Sequence, residues 1–547
     1  MKNIVKRLSC LSLAAMMTLT LTACGGDGGE TSGTLSDTFT YAIAGEPTQL
    51  DPAVGSDSVT SYILNQIYYP LFIIGEDGSL QNEACEDYEV SDDGLTYTFH
   101  LTENNYWSDG EQVTAADYVY GMKRAIGMGA ADSYYSYFLA DYVLNAKAHN
   151  DNMSDVADMD DVGIVATDDF TIQITLSSPC PYFVNLMPAG VFYPLREEFS
   201  PEHDSSWDDD PTVPTNGAYQ TTKIDSADEY VMVKNEHFAH ADDVVTETLV
   251  AKVMSDPDAQ LVAFQTGEID FATGVNNQVT KVYEGQPELL LSDSVINYYI
   301  MLNAYSEDTP ALQDVRVRRA IQLGIDRTEL VTALDAEDVY YELYGYVPKG
   351  FEGVNGDFRE EADAENKLVY TDKDEARSLM EAAGYNENNR LQLTYYTNQA
   401  ADHSTIAQVI QVQLADIYID VTLKTGEIRT FFDDRENGLF DMARGAMSAD
   451  YMDVSTFLDM AASWTQYGHV TWGDEAYDTM INESRTIEDN TERLELLHDA
   501  ETYLVEEMAY TVPLFGYKQI CLGKQGVSGY ISSPQGNHVF WYIQVPE

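Results

Sequence analysis

Basic residues are scarce in this chain. Only 29 Lys and Arg stand against 92 Asp and Glu in 547 residues, a formal net charge of −63 at pH 7. Phosphate backbones are held by clustered cations, so nucleic acid is excluded as a partner. Cysteine is scarce too: Cys10, Cys24, Cys85, Cys180 and Cys521 are too scattered for a disulfide framework or a zinc pattern. No G-x-S-x-G elbow and no H-E-x-x-H helix occurs, which removes the commonest hydrolase signatures. Aromatic residues, in contrast, are plentiful. With 38 Tyr, 19 Phe and 44% hydrophobic content the chain can bury a core in spite of its charge. Its length exceeds what one core sustains, so two or three lobes are expected.

Long apolar runs are missing as well, apart from Leu11 to Leu21, which falls short of the roughly 20 residues that span a bilayer. Lys2, Lys6 and Arg7 precede that run, and Leu21-Thr22-Ala23-Cys24 closes it. This order reads as a sorting signal, residues 1–23, and the small residue before cysteine resembles the bacterial lipobox. Lipidation of Cys24 is therefore expected; a plain cleaved signal or an uncleaved anchor is the alternative. The Gly-, Ser- and Thr-rich stretch that follows, residues 24–37, reads as a flexible tether.

Further on, FTIQITL (170–176) alternates and puts Phe170, Ile172, Ile174 and Leu176 on one strand face. In YTDKDEARSLMEAAGY, Asp372 and Glu375 suggest a capping box, Ala376, Leu379, Met380 and Ala383 an apolar stripe, and Gly384 a helix stop. The strand LQLTYYT, the helix HSTIAQVIQVQLADI and the strand IDVTLKT then imply a crossover onto a parallel pair. No repeat of 20 to 50 residues is present.

Six phrases share their order with one family. AGEPTQLDP (44–52), WSDGEQVTAADYVYGMKRAI (107–126), VPTNGAYQ (213–220), SDPDAQLVAFQTGEIDFA (255–272), LQDVRVRRAIQLGIDRTEL (312–330) and SADYMDVSTFL (448–458) together resemble the extracellular solute-binding proteins of peptide ABC transporters. The resemblance covers about residues 38–545. It implies an α/β fold of the class II periplasmic-binding type, bilobal, with two hinge crossovers and an extra domain inserted in the N-terminal half. Lobe I would comprise residues 38–60, 190–295 and 515–547, the inserted lobe II residues 61–189, and lobe III residues 296–514. Crossovers are expected near 290–300 and 510–516. Implied partners are an oligopeptide ligand, the membrane permease of an ABC transporter, and the membrane through the N-terminal lipid. The protein is expected to be a monomer on the outer face of the cytoplasmic membrane, of the Gram-positive kind, without enzymatic activity, cofactor or metal.

Peptides of varied sequence share an amine, a carboxylate and a regular backbone, so a tolerant receptor fixes an acid, cations and strand-like bonds. Across TFFDDRENGLFDMARGAMSADYMDVSTFL, the oligopeptide-binding members of the family match closely enough to carry roles over. By that resemblance Asp450 holds the α-amine, Arg435 and Arg444 receive the carboxylate, and His403 adds a cation or a donor. Glu46 lies beside the ligand, and Met447 stands where the family usually has tryptophan. Tyr134, with Tyr135 and Tyr137 near it, falls where an aromatic borders the amine. Blander readings stand beside these: a helix cap or an internal bridge to Arg444 for Asp450, a solvated cluster for Arg435, a cap for His403, core packing for the tyrosines. Asp453, before VSTFL, reads as a structural cap. Spacing adds only that residues 444 and 450 share a face if the segment is extended. The same fold also serves dipeptides, pheromones, nickel chelates and oligosaccharides, and EHFAHADD (236–243) holds two histidines among acids, a weak hint of a metallohydrolase.

Overall fold

A computed structural model gives the architecture and describes residues 34–153, 158–201, 207–365, 368–465 and 471–547. Cys24 and the signal segment lie outside the described residues, as does most of the 24–37 stretch. Residues 35–546 form one compact unit. No helix among the described residues is long and apolar enough to cross a membrane.

Two mixed sheets carry the fold. The first has seven strands in the order Leu289–Ser292, Gln519–Gly523, Phe271–Ala272, Thr38–Ile43, Thr248–Val253, Glu229–Lys234 and Tyr219–Asp225. The second has six, Tyr340–Glu342, Thr511–Tyr517, Ile296–Leu302, Met442–Ser448, Leu391–Asn398 and Ile419–Gly426. A third, antiparallel sheet of Cys85–Val90, Thr96–Leu101, Thr171–Thr175 and Ile164–Asp168 belongs to the inserted segment. The alternation in FTIQITL is used as expected: Ile172, Ile174 and Leu176 are buried. Leu391–Asn398 and Ile419–Gly426 run parallel around the helix Ala401–Ala415.

The chain passes between the two main sheets twice, through residues 293–295 and through Lys518. The second passage lies beyond the expected 510–516, and residues 515–517 belong to the second sheet rather than to lobe I. The reason is pairing: Tyr298 opposes Phe515, Asn297 opposes Gly516 and Tyr340 opposes Tyr517, so the ladder continues to the last residue before the hinge.

One hydrophobic core runs without a break from the first sheet into the inserted domain, from Phe39 and Tyr41 to Tyr97 and Phe99. Two of the shared phrases lock that junction. Arg124, on the helix Ala115–Met128, reaches both oxygens of Asp51 at 3.0 and 2.6 Å, with both side chains fully buried. Gly217 is required where it stands, since a Cβ there would lie 2.4 Å from the carbonyl carbon of Ile67. The second sheet has cores on its two faces, one around Phe457 and Leu497 and one around Ile321 and Leu414. Asp372 caps the helix Lys373–Ala382 as read, accepting from the N–H of Asp374 and Glu375. The reciprocal half of the box is not made: Glu375 takes the Tyr370 hydroxyl, and the Asp372 N–H donates to Leu323.

Candidate functional site

The strand Met442–Ser448 lies in the middle of the second sheet, and its end delivers Asp450 to the seam between lobes. Ala449 donates its N–H to the carbonyl of Val295 in the first crossover, and the Asp450 N–H is taken by Thr456 Oγ1 at 3.0 Å. The carboxylate meets the inserted domain across the seam. Tyr135 and Tyr137 donate their hydroxyls to Oδ1 and Oδ2 at 3.2 and 3.1 Å. Among the described residues no lysine or arginine forms an ion pair with Asp450, and burial pushes its carboxyl up to about 6 against the two hydroxyls that favour the charge. An acid without a cation therefore faces the cleft, and neither a helix cap nor a bridge to Arg444 explains it.

Neighbouring contacts hold the lobes together there. Tyr451 stacks on Tyr182 with ring centroids 5.8 Å apart and nearly parallel planes, and Phe138 meets it edge-on. Beneath them Asp453 accepts from the Ser455 N–H and binds Arg493 at 3.0 and 2.6 Å, a structural role as read. Beside Asp450 opens a cavity of about 240 Å³ bounded by all three lobes, with Ser61, Asn65, Asn185, Asp450 and Gln535 in its wall.

At the other end of the same strand the charge reverses. Arg444 is only 8% exposed; its Nε donates to Asn398 Oδ1 at 2.5 Å, and among the described residues it forms no ion pair with a carboxylate. Arg435, on the helix Ile428–Glu436, is 5% exposed rather than part of a solvated cluster, and its Nη1 donates to the carbonyl of Arg444. Phe431 and Phe432 pack against both guanidinium groups, with 4.9 to 5.9 Å from guanidinium carbon to ring centre. His403 sits beside them, hydrogen-bonded through Nδ1 to the Tyr298 hydroxyl. Burial, and then the charge of Arg444, lower it to about 4, so near pH 7 the ring is neutral.

The structure thus brings Asp450 to one end of a strand and Arg444, Arg435 and His403 to the other. The shared-face expectation applies only to residues 442–448, because the chain leaves the sheet before position 450. Met447 lies between the two ends, half-buried, with its N–H held by Asn297 Oδ1. Tyr134 is 54% exposed and meets Tyr135 and Tyr137 edge-on, while those two reach the carboxylate. Glu46 is exposed, beyond the strand Thr38–Ile43 and outside the cavity wall. Asn398, Tyr298 and Gln535 were not singled out from sequence. Phe431 and Phe432 had a legible signal, standing four and three residues before Arg435 on one helix. His240 bonds Tyr69, and among the described residues no group of three or more His, Cys, Asp or Glu is placed to hold a metal.

Known proteins share this arrangement of sheets. A sequence model of bacterial extracellular solute-binding proteins, family 5, middle region, matches residues 79–469. The dipeptide-binding protein DppE of Bacillus subtilis is 28% identical over 499 residues, 90% of this chain and 89% of its own. The oligopeptide-binding protein OppA of the same organism is 27% identical over 552 residues and 98% of each chain. The structure of the Escherichia coli murein tripeptide binding protein MppA superposes with a TM-score of 0.76 at 24% identity, covering 94% of this chain and all of that one.

Proposed function

Because the chain belongs to the bacterial extracellular solute-binding proteins of family 5, we propose that it captures oligopeptides between its lobes and hands them to an ABC importer. The observation that carries this reading is a carboxylate at Asp450 that has no ion-pairing cation among the described residues, past one end of the strand Met442–Ser448, with the buried guanidiniums of Arg444 and of Arg435, which bonds the Arg444 carbonyl, toward the other. A zwitterion with a regular backbone supplies a cation to Asp450 and a carboxylate to Arg444. Residues 444 and 450 are at most about 20 Å apart along extended chain, which fits peptides on the order of three to six residues. Desolvation offsets much of the attraction at both ends, so the charges fix register and length more than they add affinity.

Closure follows from the same contacts. Asp450 belongs to one lobe and its tyrosine donors to the other, so a ligand that steadies the carboxylate biases the closed arrangement. The reading also includes a lipid on Cys24 that tethers the protein to the outer face of the membrane, and a monomer as the working form. Mass spectrometry of small molecules released by denaturing the purified protein tests the ligand class. Short peptides with free termini support it; a bile acid, a sugar or a nickel chelate in stoichiometric amount refutes it. Replacing Cys24 by Ser should release the protein from cells into the medium; unchanged retention refutes the anchor.

A further inference from the structure

Asp450 is held in place from outside its own lobe as well as from within it. Ala449 and Asp450 follow the strand Met442–Ser448, and one side chain takes both their carbonyls: Gln535 donates Nε2 to them at 3.2 and 3.0 Å. A carbonyl oxygen can only accept, so the amide is fixed in orientation and spends both hydrogens there. Gln535 lies in the turn between the paired strands Ile531–Ser532 and His538–Val539, in the C-terminal return. Gly536 shapes that turn with a φ of +90° and donates its N–H to the carbonyl of Ser533 at 2.9 Å. The same turn is bonded at both crossovers. The Pro534 carbonyl accepts the N–H of Val295 at 3.1 Å, and the Ser533 carbonyl accepts Nε2 of Gln519, the residue after Lys518, at 2.8 Å.

When two lobes turn about a hinge, atoms move in proportion to their distance from the pivot, so groups bonded to the crossovers keep their places. Asp450 has contacts of two kinds. Its backbone is tied to the pivot through Gln535 and through Ala449, whose N–H meets the Val295 carbonyl at 3.1 Å. Its carboxylate receives the hydroxyls of Tyr135 and Tyr137 across the seam, from the inserted domain. We propose that Gln535 is a positioning residue for the amine end of the ligand, holding Asp450 in its binding orientation before the lobes close. This rests on the oligopeptide reading, with the α-amine at Asp450. The tyrosines then arrive with closure and support a carboxylate that is already aimed. Without the amide, two carbonyls lose their donor, and the peptide units on either side of Asp450 turn to find water. The share of open protein with its carboxylate correctly aimed then falls, and apparent affinity falls with that share. Only a ligand that uses the carboxylate feels the change.

Isothermal titration and stopped-flow binding of the full chain with trialanine and N-acetyl-trialanine at pH 7 test the assignment. Gln535→Met keeps the length of the side chain and removes its donors. Gln535→Asn keeps the amide and draws it back by one methylene, a milder change should the first variant lose its native circular dichroism. Either should weaken trialanine about tenfold, the size of one ordinary hydrogen bond, and leave the acetylated peptide within about twofold. The loss should lie in the association rate, because fewer open molecules are competent to bind. Equal losses for the two peptides would make Gln535 a general brace for closure and overturn the assignment. Unchanged trialanine affinity, or a loss confined to the dissociation rate, would overturn it too, and each of these results leaves peptide capture intact. Failure of the unaltered protein to bind trialanine would overturn the peptide reading and this inference with it.

Discussion

Acidification should weaken peptide binding through Asp450 alone. Its carboxyl is pushed up to about 6 by burial, so about nine-tenths is ionised at pH 7 and about one-tenth at pH 5. Only the ionised form can take the ligand's ammonium. Affinity for a peptide such as trialanine should therefore fall about tenfold between pH 7 and pH 5. The other groups facing the site do not titrate in that window: Tyr135 and Tyr137 are pushed further up by burial and by Asp450, and His403 lies near 4. A peptide carboxylate titrates lower, and its amine loses its charge above about 8. Binding is thus expected to peak between about 6 and 8. Stability has the other sign, since a carboxyl raised above its ordinary 3.8 favours the fold most when protonated and costs stability as pH rises through about 6. Isothermal titration at pH 5, 6, 7 and 8, with N-acetyl-trialanine as the control that lacks the amine, decides the matter. Equal affinity at pH 5 and pH 7, or the same slope for the acetylated peptide, would refute the assignment.

Other perturbations have equally definite outcomes. Tyr137→Phe removes one hydroxyl that favours the ionised Asp450, so the acid limb of that pH curve should shift upward; an unmoved midpoint would show that the hydroxyl does not stabilise the charge. Arg444→Met should weaken a free tripeptide at least tenfold and leave its C-terminal amide nearly unaffected, because a charged hydrogen bond is worth about 1.5–3 kcal/mol; equal losses for both would contradict a carboxylate site. Arg124→Met strands a fully buried Asp51 and should cost about 3–5 kcal/mol in urea unfolding. A loss under 1 kcal/mol would mean that the junction between the first sheet and the inserted domain relaxes around the missing charge.

Periodicity made much of the second lobe legible, because a parallel strand–helix–strand unit announces itself locally in LQLTYYT and the segments after it. The hinge was less so. Where a ladder ends depends on partners distant in sequence, such as Tyr340 for Tyr517, and no local pattern carries that. Within the site, the acid and the arginines could be named from the phrase that holds them, yet their surroundings could not. Whether Arg435 is solvated depends on how Phe431 and Phe432 fold over it, and the state of His403 depends on burial beside Arg444. Three closely spaced tyrosines offered one signal for three residues. The turn that exposes Tyr134 and aims Tyr135 and Tyr137 at Asp450 is tertiary information. Asn185, Gln535 and Asn65 converge from far-apart segments and are individually unremarkable in sequence.

Recognition of both charged termini is tested most directly by titrating the protein with one tetrapeptide in its free form and in its N-acetylated, C-amidated form. The free peptide is expected to bind at least a hundredfold tighter, about tenfold from each end. Equal binding of the two forms would contradict the pairing of Asp450 with the amine and of Arg444 and Arg435 with the carboxylate.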